Sequence, residues 1–151
     1  MEEVDLYGLA QNCVDMLQMN AEKHQVTVSM KGEQTKIRAN KGMMEEVIYN
    51  LCDNAIRYNN AGGTVTVKVG TEEGKAVLSV RDTGIGIPKE HQDRIFERFY
   101  RVDKSRSKST GGTGLGLAIV KDVVQQHNGT ITVDSTPGSG TAMRVVLPAL
   151  D

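Results

Sequence analysis

Four groups of residues in this 151-residue chain have the types and spacing to do chemistry. Asn50 and Asn54 stand one helical turn apart in Asn50-Leu51-Cys52-Asp53-Asn54-Ala55-Ile56-Arg57-Tyr58. Asp82 opens the stretch Asp82-Thr83-Gly84-Ile85-Gly86-Ile87-Pro88. Between Tyr100 and Gly112, the cations Arg101, Lys104, Arg106 and Lys108 are set against a single acid, Asp103. Gly111-Gly112-Thr113-Gly114-Leu115-Gly116-Leu117-Ala118 then runs directly into a helical pattern. Glycines let a backbone approach a ligand closely, at an entropic cost that a mere surface turn need not carry. A glycine-rich loop feeding a helix N-terminus offers free N–H groups and the positive end of the dipole, an anion site whose usual occupant is phosphate. Asparagine is a mediocre helix former, and two on one helix stripe supply hard oxygens of the kind Mg²⁺ takes, with waters and phosphate completing its octahedron. Each group alone has a plainer reading: a solvated helix face, a solvated loop, a pair of turns. Together they turn the reading to phosphate. The chain has no G-x-x-x-x-G-K-[ST], and neither glycine cluster reads G-x-G-x-x-G, which excludes the P-loop and the dinucleotide and protein-kinase fingerprints.

The elements that must position these groups follow from periodicity. Leu6, Leu9, Ala10, Cys13, Leu17 and Ala21 recur at helical spacing from Asp5, a capping residue, to Lys23. Val26 to Met30 alternates as a strand, and a short strand covers Lys36 to Ala39. A helix from Lys41 to Asn59 places Met44, Ile48, Leu51 and Ala55 on one face and Glu46, Asn50, Asp53 and Arg57 on another, with Asn54 at its edge. Thr64 to Val69 and Lys75 to Arg81 read as a hairpin that ends at Asp82. Pro88 starts a helix from Lys89 to Phe99, with His91 exposed and inert, and Tyr100 to Gly112 forms a lid. Residues 101 to 112 are expected to be mobile without a ligand, because glycines, serines and like charges dominate there. A helix from Gly114 to His127 closes at Asn128-Gly129, with His127 at the negative end of its dipole. Gly129 to Ser135 and Thr141 to Leu147 are the last strands, joined through Thr136-Pro137-Gly138-Ser139-Gly140. This order suits an α/β two-layer sandwich: one mixed sheet of five strands or more, covered on one face by three helices.

The motifs themselves carry a resemblance. Asn50-Leu51-x-x-Asn54-Ala55-x-Arg57-Tyr58 resembles an N box, and Asp82-x-Gly84-x-Gly86-Ile87-Pro88 a first glycine box. Phe96-x-x-Phe99 resembles an F box. Gly112-x-Gly114-x-Gly116-Leu117 and Gly138-x-Gly140-Thr141 are similar to second and third glycine boxes. In this order they resemble the catalytic, ATP-binding domain of bacterial sensor histidine kinases, in the superfamily shared with DNA gyrase and the heat-shock chaperone ATPases. The match covers Asp5 to Pro148, and a run of five ordered motifs is highly specific. The resemblance implies the Bergerat fold with an ATP lid, and ATP and Mg²⁺ as cofactors.

It also implies roles. Asp82 takes the exocyclic amine of adenine, Gly86 leaves room for the base, and Thr141 completes the pocket, often through water. Gly84, Ile87 and the run Gly112, Thr113, Gly114, Leu115, Gly116 and Leu117 belong to the nucleotide site. Tyr58 packs near the base and Arg57 near the phosphates, although arginine departs from the lysine more usual there and differs in geometry. Asn50 and Asn54 hold the metal, with Glu46 orienting Asn50. Arg101, and with it Arg106, contacts the phosphates; Phe96 and Phe99 hinge and anchor the lid. Asn50 and Arg101 are the catalytic candidates. Hydrolysing relatives carry a glutamate at position 50, a general base for water; Asn50 cannot accept a proton, so the γ-phosphoryl group should wait for a histidine imidazole.

The expected function is therefore to bind Mg-ATP and donate its γ-phosphoryl group to a histidine on a separate dimerisation domain, in a pathway that continues to a response regulator. None of His24, His91 and His127 sits in the H-E-[LF]-R-x-P setting of an acceptor, so the chain carries the donor site only. The alternatives are an ATPase like gyrase or the heat-shock chaperones, a serine kinase of the anti-sigma type, or a non-catalytic nucleotide-binding module. The length suits one domain, residues 1–151. Lys+Arg 18 against Asp+Glu 19 points to neither nucleic acid nor an anionic membrane as partner. Cys13 and Cys52 have neither metal nor redox spacing and read as core thiols in a reducing, cytoplasmic setting. No apolar run approaches the roughly 20 residues that span a bilayer. The chain is expected to be a monomeric, soluble piece of a longer kinase.

Overall fold

The computed structural model describes residues 1–97 and 116–150. In chain order they form β1 (Glu2–Asp5), α1 (Leu6–Lys23), β2 (Thr27–Gly32), β3 (Lys36–Ala39), α2 (Lys41–Arg57), β4 (Thr64–Glu72), β5 (Lys75–Asp82), α3 (Lys89–Gln92), α4 (Gly116–Gln126), β6 (Thr130–Thr136) and β7 (Gly140–Pro148). Five strands make one mixed sheet in the order β2-β4-β5-β7-β6, in which only β2 and β4 run parallel.

Alternation along the strands decides which face of the sheet is buried. Val65, Val67 and Val69 of β4 stand opposite Asp82, Val80 and Leu78 of β5. Those three in turn oppose Thr141, Met143 and Val145 of β7. Two of the three rows are wholly apolar and lie under the helices; the third ends in Asp82 and Thr141. The site residues thus occupy the first polar row beyond the core. Residues of opposite parity, among them Lys68, Ser79, Arg81 and Arg144, form the other face of the sheet.

The helical layer is built from stripes. Leu6, Leu9, Ala10, Cys13, Val14, Leu17 and Ala21 of α1 are buried, as are Met44, Val47, Ile48, Leu51, Cys52, Ala55 and Ile56 of α2. Ala118, Val120, Val123 and Val124 complete the layer from α4. Each fully buried Leu, Val or Ile contributes about 1.5–3 kcal/mol relative to an exposed one. Asp5 caps α1 by accepting the Tyr7 N–H at 3.1 Å, and Asn40 caps α2 through the Met43 N–H at 3.0 Å.

The sandwich matches the sequence reading, and several boundaries differ, three of them with a structural reason. β1 is a strand that periodicity did not show; it pairs antiparallel with β3, so Lys36–Ala39 leaves the main sheet for a second, two-stranded one. Glu2-Glu3-Val4-Asp5 offers one apolar residue, and only the partner strand makes it extended. α2 ends at Arg57, with Tyr58 as its C-cap, two residues short of Asn59. The helix expected from Lys89 to Phe99 stops at Gln92, after which Arg94 N–H to His91 O and Glu97 N–H to Arg94 O continue as tight turns. Up to residue 97 that segment has only Ile95 and Phe96 to turn inward, too few for a helical stripe. Phe99 and the lid lie outside the described residues, as does the expected start of α4 at Gly114.

His127 is not merely a helix-end residue. It is 6% exposed; Nε2 lies 3.1 Å from the backbone N of Asn40, and Nδ1 lies 2.7 Å from Val123 O. The Asn40 N–H can only donate, so Nε2 accepts and Nδ1 carries the proton given to Val123. This bridge ties the end of α4 to the N-cap of α2. Replacing His127 with Ala should cost about 1–3 kcal/mol in a urea titration, because it strands that N–H. An unchanged midpoint would show that the bridge is idle.

Candidate functional site

Asp82 is the last residue of β5, half-buried at the edge of the core. Its Oδ1 accepts two backbone N–H groups, from Gly84 at 2.9 Å and from Thr141 at 3.2 Å. Among the described residues nothing donates to Oδ2. Burial raises the carboxyl above the ordinary aspartate value, and the Gly84 and Thr141 bonds oppose that shift. One oxygen is thus fixed by the protein, and the other is held in a set direction with its acceptor capacity unused.

Glycines shape the space around it. Gly86 has φ +75°, and a Cβ there would strike the carbonyl of Thr136. A Cβ on Gly84 would strike the carbonyl of Tyr58, the residue that caps α2. Tyr58 O accepts the Ile85 N–H at 3.1 Å, and Ile85 O accepts the Gly138 N–H at 2.8 Å. The first glycine cluster is therefore clamped between the end of α2 and the β6–β7 turn. Ile87 is half-buried beside it and packs on the core.

Asn50 and Asn54 occupy successive turns of α2, both half-buried. Among the described residues neither side chain makes a hydrogen bond. Asn50 Oδ1 lies 3.2 Å from where a Cβ on Gly116 would sit, so that glycine lets the amide stand at the head of α4. Leu117 follows it, half-buried against the core. Glu46 is exposed and makes no hydrogen bond among the described residues that would orient Asn50.

Arg57, the last residue of α2, is paired within its own helix. Its Nε lies 2.9 Å from Oδ2 of Asp53, whose other oxygen accepts from Asn20 of α1 at 3.3 Å. Asp53 is 8% exposed, and a buried carboxylate needs such partners. The i, i+4 spacing of Asp53 and Arg57 was visible in the sequence.

Of the remaining candidates, Arg101, Gly112, Thr113, Gly114 and Leu115 lie outside the described residues, as do Lys104, Arg106 and Lys108. Phe96 is partly buried, with Lys121 Nζ of α4 5.9 Å from its ring centroid, a contact that joins the segment before the expected lid to the helix after it. The thiols are not nucleophiles: burial, then Glu45, pushes Cys13 up to about 11, and burial, then Cys13 and Asp53, pushes Cys52 up to about 12. Two residues that sequence reasoning passed over, Gln92 and Ser135, bond directly to the first glycine cluster. The Ile87 N–H donates to Ser135 Oγ at 2.8 Å, and Gln92 Nε2 donates to Ile87 O at 2.9 Å.

The raised value of Asp82 has a sign. Below the ordinary carboxylate range the group is protonated, folded or not, and carries no penalty. As pH rises through its folded value, the buried charge costs stability. Asp82→Asn keeps an Oδ1 acceptor for both N–H groups and never ionises. The variant should melt higher than the parent near pH 7, with the gap closing as pH falls toward 4. Melting curves whose gap ignores pH would refute this.

Comparison with known proteins agrees with this geometry. The family model described as histidine kinase-, DNA gyrase B-, and HSP90-like ATPase matches residues 39–151. The chain is 38% identical over 149 residues to the sensor-like histidine kinase SenX3 of Mycolicibacterium smegmatis, covering 98% of this chain and 39% of that protein. It is 41% identical over 138 residues to the sensor histidine kinase WalK of Bacillus subtilis, covering 89% and 23%. Among solved structures, the mycobacterial sensor histidine kinase MprB superposes with a TM-score of 0.86 at 29% identity, over 98% of this chain and 97% of that one. Full-length ShkA in complex with AMPPNP gives 0.83 at 27% identity, over 97% and 30%. The chain thus spans between 23% and 39% of the length of these two curated relatives.

Proposed function

The chain belongs to the histidine kinase-, DNA gyrase B- and HSP90-like ATPases, and from that premise we propose that it binds Mg-ATP and donates the γ-phosphoryl group to a histidine on a separate dimerisation domain. The observation that carries the reading is Asp82, a half-buried carboxylate with one oxygen fixed by two N–H groups and the other without a donor among the described residues. A directed acceptor there suits the exocyclic amine of adenine and opposes the carbonyl that guanine presents at the same edge. Gly84 and Gly86 let the turn after Asp82 pack against the carbonyls of Tyr58 and Thr136, which holds it in place beside the carboxylate.

The donor set fits the metal too. Asn50 and Asn54 bring half-buried amide oxygens with no protein partner among the described residues, and Asn50 stands at the head of α4. Bound there, Mg²⁺ would neutralise phosphate charge that the two amides cannot. Asn50 itself lacks the proton affinity to activate water, so the site holds the phosphoryl group without promoting hydrolysis. Arg101, with Arg106, supplies further positive charge, and phosphoryl transfer requires mainly such positioning and neutralisation. The partners on this reading are ATP or ADP, the histidine-bearing domain of the same kinase and, beyond it, a response regulator. No helix among the described residues is long and apolar enough to cross a membrane. We place the domain, residues 1–151, in the cytoplasm as a monomeric unit of a larger sensor kinase.

Calorimetry provides the first test. ATP should bind more tightly than GTP, and Asp82→Asn should weaken ATP by about 1–3 kcal/mol, the cost of one mismatched buried polar contact. Asn54→Ala should remove most of the Mg²⁺ dependence of ATP binding. Equal ATP and GTP affinity would reject the base assignment; an unchanged Mg²⁺ response would make Asn54 a packing residue.

The second test concerns chemistry. Alone with ATP, the chain should neither label itself nor release phosphate at an appreciable rate. Mixed with a separately produced domain bearing the cognate histidine, it should transfer an acid-labile phosphoryl group, slowly, because tethering is absent. Acid-stable label on serine would identify an anti-sigma-type kinase instead. Rapid phosphate release by the lone chain would identify an ATPase.

A further inference from the structure

The face of the main sheet turned away from the helices carries a row of charge. Lys31, Lys68, Ser79, Arg144 and Thr132 are successive cross-strand partners from β2 to β6. Arg81 stands two residues beyond Ser79 on β5, in the next row. On this face Lys31, Lys68, Lys75, Arg81 and Arg144 are set against Glu72 and Asp134, in a chain whose Lys+Arg 18 fall short of its Asp+Glu 19. A groove of about 640 Å³ crosses it, lined in part by Lys68, Ser79, Arg81 and Arg144 and also by the acids Glu33 and Glu72.

One of these cations is committed. An Nη of Arg144 lies 2.8 Å from a carboxylate oxygen of Glu72, an ion pair that reaches from β7 to β4 across β5. By register it passes over Val77, which is only 6% exposed. Lys31, Lys68 and Arg81 are exposed, and among the described residues none of them has an ion pair. Lys31 and Lys68 are direct neighbours, and like charges so placed cost stability. The fold does not need them there: the adjoining rows of the same two strands hold Thr27 beside Thr64 and Ser29 beside Thr66. From strand spacing and rise, the three uncommitted cations leave the backbone within about 12 Å of one another.

We infer that this face docks an acidic peptide segment of a protein partner, whose carboxylates meet Lys31, Lys68 and Arg81. The kind of partner follows from what else the face holds. Discrete carboxylates can be set against the cations and kept clear of Glu33 and Glu72, whereas a continuous phosphodiester chain or lipid surface meets those acids as well. Among the described residues, no aromatic side chain stands on this face to stack a base, and no large apolar one is exposed on it to enter a bilayer. Asp82 belongs to the opposite, helix-covered face, so the two sites do not compete.

The test is fluorescence anisotropy of the chain with a short labelled peptide of alternating glutamate and serine. The parent should bind it at low salt and lose it as salt is raised. Lys68→Thr should weaken binding by about threefold, the size of one exposed ion pair. Adding Arg81→Thr should bring the loss to about tenfold, as two such contacts combine. Glutamate at both positions should reverse the preference, toward a peptide of alternating lysine and serine. Lys68→Thr should also melt higher than the parent, because it relieves Lys31 and suits a strand. A lower melting temperature would show that Lys68 serves the fold and overturn the inference. An affinity unchanged in the double threonine variant would place the peptide elsewhere on the chain, with the same consequence. Tighter binding of oligothymidylate or of phosphatidylserine vesicles than of the peptide, lost in that variant, would overturn the class of partner.

Discussion

One carboxylate oxygen joins the parts of this molecule that must meet. Oδ1 of Asp82 accepts the Gly84 N–H from the turn that follows β5 and the Thr141 N–H from the start of β7. Two N–H groups on one oxygen fix the plane of the carboxylate, and the direction of Oδ2 follows from that plane. The bonds also offset part of the cost of keeping a charge at the edge of an apolar core, where burial alone drives the group toward its protonated form. A neutral acceptor in its place would be cheaper to bury but would not have two equivalent oxygens. The glycine turn, the β6–β7 hairpin and the end of α2 are arranged around this oxygen.

The helical layer is constrained in the same manner, by few contacts at its ends. α2 and α4 meet near Asn50 and Gly116 at one end and at Asn40 and His127 at the other, so they run in opposite directions with their register set twice. The first contact depends on a missing side chain, the second on a neutral imidazole with a donor on one nitrogen and an acceptor on the other. Between them lies apolar packing, which is tolerant of small slips. The His127–Asn40 bond supplies at one end the directionality that packing lacks.

Much of this was legible in the chain. Period-2 and helical patterns gave the two-layer sandwich, the hairpin ending at Asp82 and the three long helices. Asp82, Gly84, Gly86 and Thr141 were named from motif resemblance, and the structure brings them together. Legibility failed where a residue's role depends on a partner distant in sequence. β1 has no periodicity of its own and is a strand because β3 lies beside it. The segment after Pro88 stops as a helix at Gln92, whose side chain reaches back to Ile87 and across to Ser135, partners that spacing does not reveal. The partners of Asp53 are another case: Arg57 was in reach by its i, i+4 spacing, whereas Asn20 of α1 was not.

The sequence by itself determined which residue types stand at the ends of which elements: a carboxylate closing a strand, amides on a helix, glycines in the turns. Those are local facts, set by propensity and spacing. Tertiary structure alone decided which hydrogen each polar atom holds. Ser135 and Thr141 are six residues apart across a hairpin, and His127 and Asn40 are 87 apart. Hydrogen bonding is short-ranged and directional, so whether a hydroxyl donates or accepts is fixed only when every neighbour is in place.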